Sequence, residues 1–203
     1  MRVGSTRKAG RPKVPAADRI LRVASEMFYR RGIRAVGVDA IASEADVTKK
    51  TLYDNFGSKD ALIAAYLRGR DECWRHWLVE NVERRGGPAS ERLLSTFDAL
   101  ADWMEQGNTR GCGFVNATVE LPDAHHPAWV VVMEQKRWMR GYLAGLAAEA
   151  GAEAPETLAE RLLILHEGAN VGSSLGMLAN AAQEARHVAA ALVAGLPGTD
   201  RAP

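Results

Sequence analysis

The chain has 203 residues, 47% of them hydrophobic and 25% charged, with two cysteines and a formal net charge of +1. It is long enough to bury one large core or two modest ones. It carries no run of about 18 apolar residues to span a membrane and no signal peptide with an apolar h-region. Cys73 and Cys112 lie far apart in helical contexts, which excludes a disulfide framework and a CxxC metal site. A reducing cytosol is the expected compartment and buried packing the expected role of both thiols, with redox sensing by Cys112 the rarer reading.

Taken from the amino end, near-neutrality hides a gradient. Residues 1–60 hold 13 Lys/Arg against 7 Asp/Glu, a net of +6, and residues 61–203 hold 13 against 18, a net of −5. Residues 1–17 carry Arg2, Arg7, Lys8, Arg11 and Lys13 and no acid until Asp18, among glycines and prolines. Such a segment cannot build a core and is expected to be a flexible basic arm. Gly10-Arg11-Pro12 resembles the centre of an AT-hook, in which an arginine enters a narrow A·T-rich minor groove. Loose phosphate contact by a basic tail explains the same residues equally well.

The first predicted helix carries the stripe Ile20, Leu21, Ala24, Met27 and Phe28 and stops at Gly32. The second carries Val38, Ile41, Ala42 and Ala45. After Asp46-Val47, Thr48 is placed to cap a third, its hydroxyl accepting from a free backbone N–H. In that helix Leu52 and Phe56, four apart, face inward, and Lys49, Lys50, Tyr53 and Asn55 are left on outward or flanking faces. The three helices are expected to close a small core around Phe28, Ile41, Leu52 and Phe56. A short basic helix presented to solvent fits the major groove of a DNA duplex.

The stretch ending in Leu52-Tyr53-x-x-Phe56-x-Ser58-Lys59, with Val38-Asp39-Ala40-Ile41-Ala42 and Val47-Thr48-Lys49 before it, resembles the DNA-binding domain of the TetR family of bacterial transcriptional regulators. The resemblance is strong over about residues 16–66 and continues as an all-helical pattern of the right length. It implies an all-α chain of about nine helices: a helix-turn-helix DNA-binding domain over residues 18–62, then a helical effector-binding and dimerisation domain over 63–203. It also implies base contacts from Lys49 and Lys50 and phosphate contacts from Thr51, Tyr53 and Lys59, with Thr48, Asn55 and Arg11 as further DNA-facing residues. Lysine donates to guanine O6 and N7, while a tyrosine hydroxyl and a lysine at a helix start hold phosphate oxygens. Asp54 departs from the family, standing where aromatic or basic residues are common. Gly37 and Val38 replace the hydroxyl residues often found there.

Beyond the head, glycine and proline breaks delimit helices at 58–85, 89–106, 113–121, 127–150, 155–178 and 181–195. Large apolar residues Trp103, Met104, Phe114, Trp129, Met133, Trp138 and Met139 are interspersed with Asn116, Glu120, His166 and Asn170. An apolar cavity with a few oriented polar groups has this composition, and so does an ordinary helical core. The candidate effector residues are Trp103, Met104, Phe114, Asn116, Trp129, Met133, Trp138, His166 and Asn170. His125-His126 reads as loop surface, and adjacent His166-Glu167 point about 100° apart on a helix and cannot share one metal. No GxSxG, phosphate-cradling loop or HExxH occurs, so neither enzyme activity, metal nor cofactor is expected.

The last two helices read as a dimer face. Gly168, Ala169, Gly172, Ser173 and Gly176 permit close helix approach, while Leu158, Leu162, Leu165, Leu175, Val188 and Leu192 supply apolar area; intramolecular core is the alternative. The expected partners are a double-stranded DNA operator, a second copy of the chain and a small-molecule effector, with no membrane. A two-fold dimer would set its recognition helices about 34–36 Å apart on a palindrome. The expected mechanism is repression by the free dimer, relieved when an effector tilts the helix at 58–85 and changes the spacing of the heads; a ligand-independent DNA-binding or architectural protein, whose body only dimerises, is the alternative.

Overall fold

The computed structural model describes residues 14–196, which fold into nine helices with no strand among them. They are α1 (Ala16–Arg31), α2 (Val38–Glu44), α3 (Lys49–Phe56), α4 (Lys59–Arg85), α5 (Ala89–Glu105), α6 (Gly113–Glu120), α7 (Pro127–Glu149), α8 (Pro155–Ser174) and α9 (Ala181–Val193).

Local chemistry sets the joints of the head. Gly32 ends α1 at φ 92°, its N–H donating to the Phe28 carbonyl at 3.1 Å. The turn after α2 runs through Asp46 at φ 51°, a left-handed position unusual for a non-glycine residue. Arg19 of α1 steadies that turn, donating to the carbonyls of Ala45 at 3.2 Å and Asp46 at 3.1 Å. Thr48 caps α3 by accepting from the Thr51 N–H at 3.0 Å, and Ser58 caps α4 by accepting from Ala61, also at 3.0 Å.

Two apolar cores result. The head core gathers Ile20, Phe28, Ile41 and Leu52 with Leu62, Ile63 and Leu67 from the first turns of α4. Phe56, expected inside it, is only half-buried at its margin. α6 and α7 enter the same core through Phe114, Ala117, Val131 and Val132, so the head is closed by residues distant in sequence. The body core joins Trp74, Leu78 and Val82 of α4 to Leu93, Phe97 and Leu100 of α5, and to apolar residues of α7, α8 and α9. α4 therefore belongs to both cores. Its 27 residues span about 40 Å at 1.5 Å each, a rigid strut from head to body.

The helix expected over 155–178 stops at Ser174 instead. Gly176 takes φ 67° and turns the chain, so Met177 and Leu178 lie outside any helix.

Candidate nucleic-acid interface and effector cavity

α3 holds Leu52 against the head core and leaves Lys49, Lys50, Tyr53, Asp54 and Asn55 exposed. Each lysine carries an anion of its own chain. Lys49 Nζ lies 3.0 Å from Asp39 of α2, and this hydrogen bond and charge raise the lysine pKa. Lys50 Nζ lies 2.7 Å from Asp54 one turn on, which gives the family-atypical aspartate a local role. Thr51 shares a hydroxyl contact with Thr48 at 2.9 Å, and the Asn55 amide donates to the Thr51 carbonyl at 2.7 Å. Tyr53 is 39% exposed with its hydroxyl free of protein partners among the described residues. Lys59 differs from expectation: it is half-buried, donates to the Ile33 carbonyl at 2.9 Å and stands 6.0 Å over the Phe28 ring. One bond leaves an ammonium two donors for a phosphate. Arg11 lies outside the described residues.

A small cavity of about 40 Å³ lies within the body. Of the residues expected at an effector site, Trp103, Phe114, His166 and Asn170 border this cavity. The other five lie elsewhere. Met104 packs in the body core, and Asn116 donates to the Arg110 carbonyl at 2.8 Å. Trp129 spends its indole N–H on the Leu121 carbonyl at 2.8 Å, Met133 is exposed, and Trp138 stacks on Tyr142 with Arg75 over its face. Helical spacing cannot separate the two faces of α7, because both carry large apolar residues.

Sequence reasoning missed the polar walls, Arg70, Gln135, Lys136 and Glu167. Lys136 pairs with Glu167 and also lies 3.4 Å from Cys112 Sγ. Burial works to lower the Lys136 pKa, but the thiol and carboxylate outweigh it and hold the value above that of an ordinary lysine. Gln135 is buried with its side-chain oxygen unpartnered, as is one Glu167 oxygen. The expectation that both cysteines are buried packing does not hold: Cys73 is exposed and Cys112 half-buried on the cavity wall. Both sit on helix or loop faces where neighbouring apolar residues give no sign of which side meets the core. A cavity of this size admits a few waters; any larger guest must move the walls.

His166 is fully buried, stacked on Phe97 with ring centroids 4.2 Å apart, and burial followed by the Lys136 charge pushes its pKa down to about 3. Its Nε2 lies 3.0 Å from the Thr96 hydroxyl, which donates to the Leu93 carbonyl at 2.6 Å. The single hydroxyl proton being used there, Nε2 must be the donor to Thr96. Of the paired histidines, His125 is on the surface as expected. His126 caps α7 by accepting from the Ala128 N–H at 3.1 Å and lies 3.3 Å from Asp60. No metal-competent cluster occurs among the described residues.

The loop that walls the cavity also grips the head. Arg110 donates to the carbonyls of Tyr29 at 3.1 Å and Arg30 at 2.5 Å, capping the C-terminus of α1 with a cation. The Tyr29 hydroxyl donates to the Gly111 carbonyl at 3.2 Å and accepts from the Arg110 N–H at 3.0 Å. Glu120, at the end of α6, accepts from the Arg34 N–H at 2.9 Å.

On the far side of the body, Ile164, Val171, Leu175, Met177, Leu178 and Val188 are exposed large hydrophobics. Of the residues expected at a dimer face, Gly168, Leu175 and Val188 lie exposed among them. Leu158 and Leu162 are buried in the body core, and Leu165 and Leu192 pack against it. Gly172 backs onto Leu178 of its own chain, where an added Cβ would stand 3.0 Å from a methyl group.

Residues 20–66 match the family model described as bacterial regulatory proteins, tetR family, and residues 89–189 match tetracyclin repressor-like, C-terminal domain. The HTH-type transcriptional activator FasR of Mycolicibacterium smegmatis is 41% identical over 106 residues, which make up 50% of this chain and 47% of that protein. The match thus spans about half the length of that relative. The HTH-type transcriptional regulator YjdC of Escherichia coli is 22% identical over 152 residues, 73% of this chain and 78% of that one. The crystal structure of a TetR-family transcriptional regulator from Streptomyces coelicolor superposes with a TM-score of 0.82 at 29% identity, covering 89% of this chain and 95% of the other.

Proposed function

The chain belongs to the TetR family of bacterial transcriptional regulators, a DNA-binding and non-enzymatic family, and from that premise we propose that it is a homodimeric repressor released from a palindromic operator by a small-molecule effector. The observation that carries the reading is the Thr48-capped α3, which offers Lys49, Lys50, Thr51 and Tyr53 to solvent at the end of a strut rooted in the body. Lys49 and Lys50 are the base readers, exchanging Asp39 and Asp54 for guanine acceptors. Thr48, Thr51, Tyr53 and Asn55 sit close enough to the same groove to fix register on phosphates. The apolar surface around Ile164, Val171, Leu175 and Val188 is the dimer face, where two helices from each copy bury it.

Release follows from the joint between head and body. The 110–114 segment bounds the cavity and, through Arg110, holds the end of α1. A guest larger than the small cavity displaces that segment, and α1 with it. The effector must prefer the displaced arrangement, since equal affinity for both would shift nothing.

Activation is a second reading, favoured by the name of the FasR relative. Selection of bound duplexes from random sequence, followed by gel shift of the full chain on the selected site, tests the DNA claim. Failure to prefer any duplex at low salt refutes it. Gel shifts with a metabolite panel separate effector release from ligand-independent binding.

A further inference from the structure

A second cleft, about 550 Å³, lies between α1, the facing side of α4 and the end of α5. Its walls include Leu21, Tyr29, Tyr66 and Trp103, with Arg22 and Arg30 of α1 on one side and Arg70 on the other. Arg70 also borders the small cavity, so the two spaces share one side chain.

Arg70 is exceptional in its charge environment. The other half-buried cations of the body, Arg75, Arg92, Lys136 and Arg186, each face a carboxylate: Asp71, Glu149, Glu167 and Asp98. Arg70 has only the amide oxygen of Asn108, at 3.0 Å, and no carboxylate within ion-pair distance among the described residues. Its guanidinium carbon lies over the Tyr29 ring, 4.0 Å from the centroid, and 5.8 Å from that of Trp103. Beside it Tyr66 is 3% exposed, and its hydroxyl makes no hydrogen bond to the described protein. The floor of the cleft is Gly69, in the interior of α4, where an added Cβ would meet nothing within 4 Å. With no Cβ at this position, the cleft floor is left open. Of the acids at the rim, Glu26 is held by Arg30 at 3.4 Å, and Asp18 lies exposed at the start of α1.

We propose that this cleft binds a small aromatic carboxylate, its anion taken by the planar fork of Arg70 and its ring laid against Leu21, Tyr66 and Trp103. A guanidinium already held by Asn108 and seated over the Tyr29 ring loses little freedom on gripping a carboxylate, and lysine cannot imitate its bidentate grip. The guest would lie between head and body and so bear on the joint directly. The cleft is distinct from the small cavity to which release is assigned above; its guest rests on that effector reading for any consequence on DNA, while binding itself is independent of it.

The test is calorimetric titration of the full chain with 2-naphthoate and with its neutral counterpart 2-naphthalenemethanol. Naphthoate should bind at least tenfold more tightly than the alcohol. Arg70→Met should abolish that preference, and Gly69→Leu, which fills the floor and leaves Arg70 in place, should weaken both ligands. In a Cys112→Ser background, naphthoate should slow maleimide alkylation of Cys73, which lines the same cleft. Equal affinity for acid and alcohol, a preference that survives in Arg70→Met, or unprotected Cys73 would overturn the proposal. Gel shifts on the selected operator separate the two claims. Naphthoate that binds without altering retention on DNA sinks its role as effector and leaves the cleft standing; a protein that holds its operator yet ignores naphthoate sinks the cleft alone.

Discussion

Acidification should destabilise this protein through His166 by an amount that its surroundings fix. The ring is sealed in the body core, donates through Nε2 to Thr96, and has a pKa of about 3. An unfolded chain returns it to about 6.5. Because the folded value is the lower one, the unfolded state binds the proton first, so stability rises with pH between the two values. The contribution is complete above about pH 6.5 and is lost as pH falls toward 3. From pH 7.5 to 5.5 the loss should be about 1.4 kcal/mol, the linkage value for roughly one pH unit below an unshifted histidine. His166→Gln retains a donor for Thr96 and removes the titration. Urea unfolding of both proteins at the two pH values and one protein concentration isolates the term, since the remaining histidines and all carboxylates cancel in the difference. Equal pH dependence in the two proteins would mean that His166 is protonated or solvated in the folded state, and the account of its burial would be wrong.

Thr48→Ala, which removes the hydroxyl that accepts from Thr51, should lower stability by about 1 kcal/mol in the same unfolding assay. Lys49→Ala should weaken operator binding by about 1–3 kcal/mol and non-specific duplex much less; Tyr53→Phe should weaken both by a similar factor, and fluorescence anisotropy on the two duplexes distinguishes them. Arg110→Ala should speed amide exchange at the C-terminal turn of α1, whose carbonyls it caps, with little effect on the body helices. In Gly113→Ala the new Cβ would stand 2.7 Å from Arg70 Nε and 3.2 Å from the Tyr66 hydroxyl. Because Arg70 is held by Asn108 and the Tyr29 ring, a cost of about 1–3 kcal/mol is expected, as for overpacking, read as a fall in thermal midpoint.

The head was nearly all legible because its signals are local. A hydroxyl before a helix, a glycine after one and apolar residues at three- and four-residue spacing each act within a turn, and Thr48 and Gly32 take the places their chemistry predicts. Phe56 is the exception: its spacing from Leu52 is right, but it falls at the last turn of α3, where the core ends. The body was legible as helices and much less as a site. Whether Trp103 or Trp138 meets a cavity depends on which side of its helix another helix covers, and composition carries no record of that. Arg70, Gln135, Lys136 and Glu167 were overlooked because polar residues in an amphipathic helix ordinarily face water. The pairing that buries them, α7 against α4 and α8, is made across long sequence separations. The same holds for the clamp from Arg110 to Tyr29, whose partners are 81 residues apart.

The carboxylates beside Lys49 and Lys50 change what ionic strength will report. Neutralising a phosphate ordinarily frees a condensed cation from the duplex, and the slope of affinity against salt counts such events. Here each lysine arrives with a tethered anion that must be pushed aside and left near the polymer. Asp39 and Asp54 then tend to retain small cations at the contact, so the slope should fall short of the number of lysines touching DNA. A shallow salt dependence in this protein would thus be compatible with close electrostatic engagement, and Asp39→Asn or Asp54→Asn should steepen it.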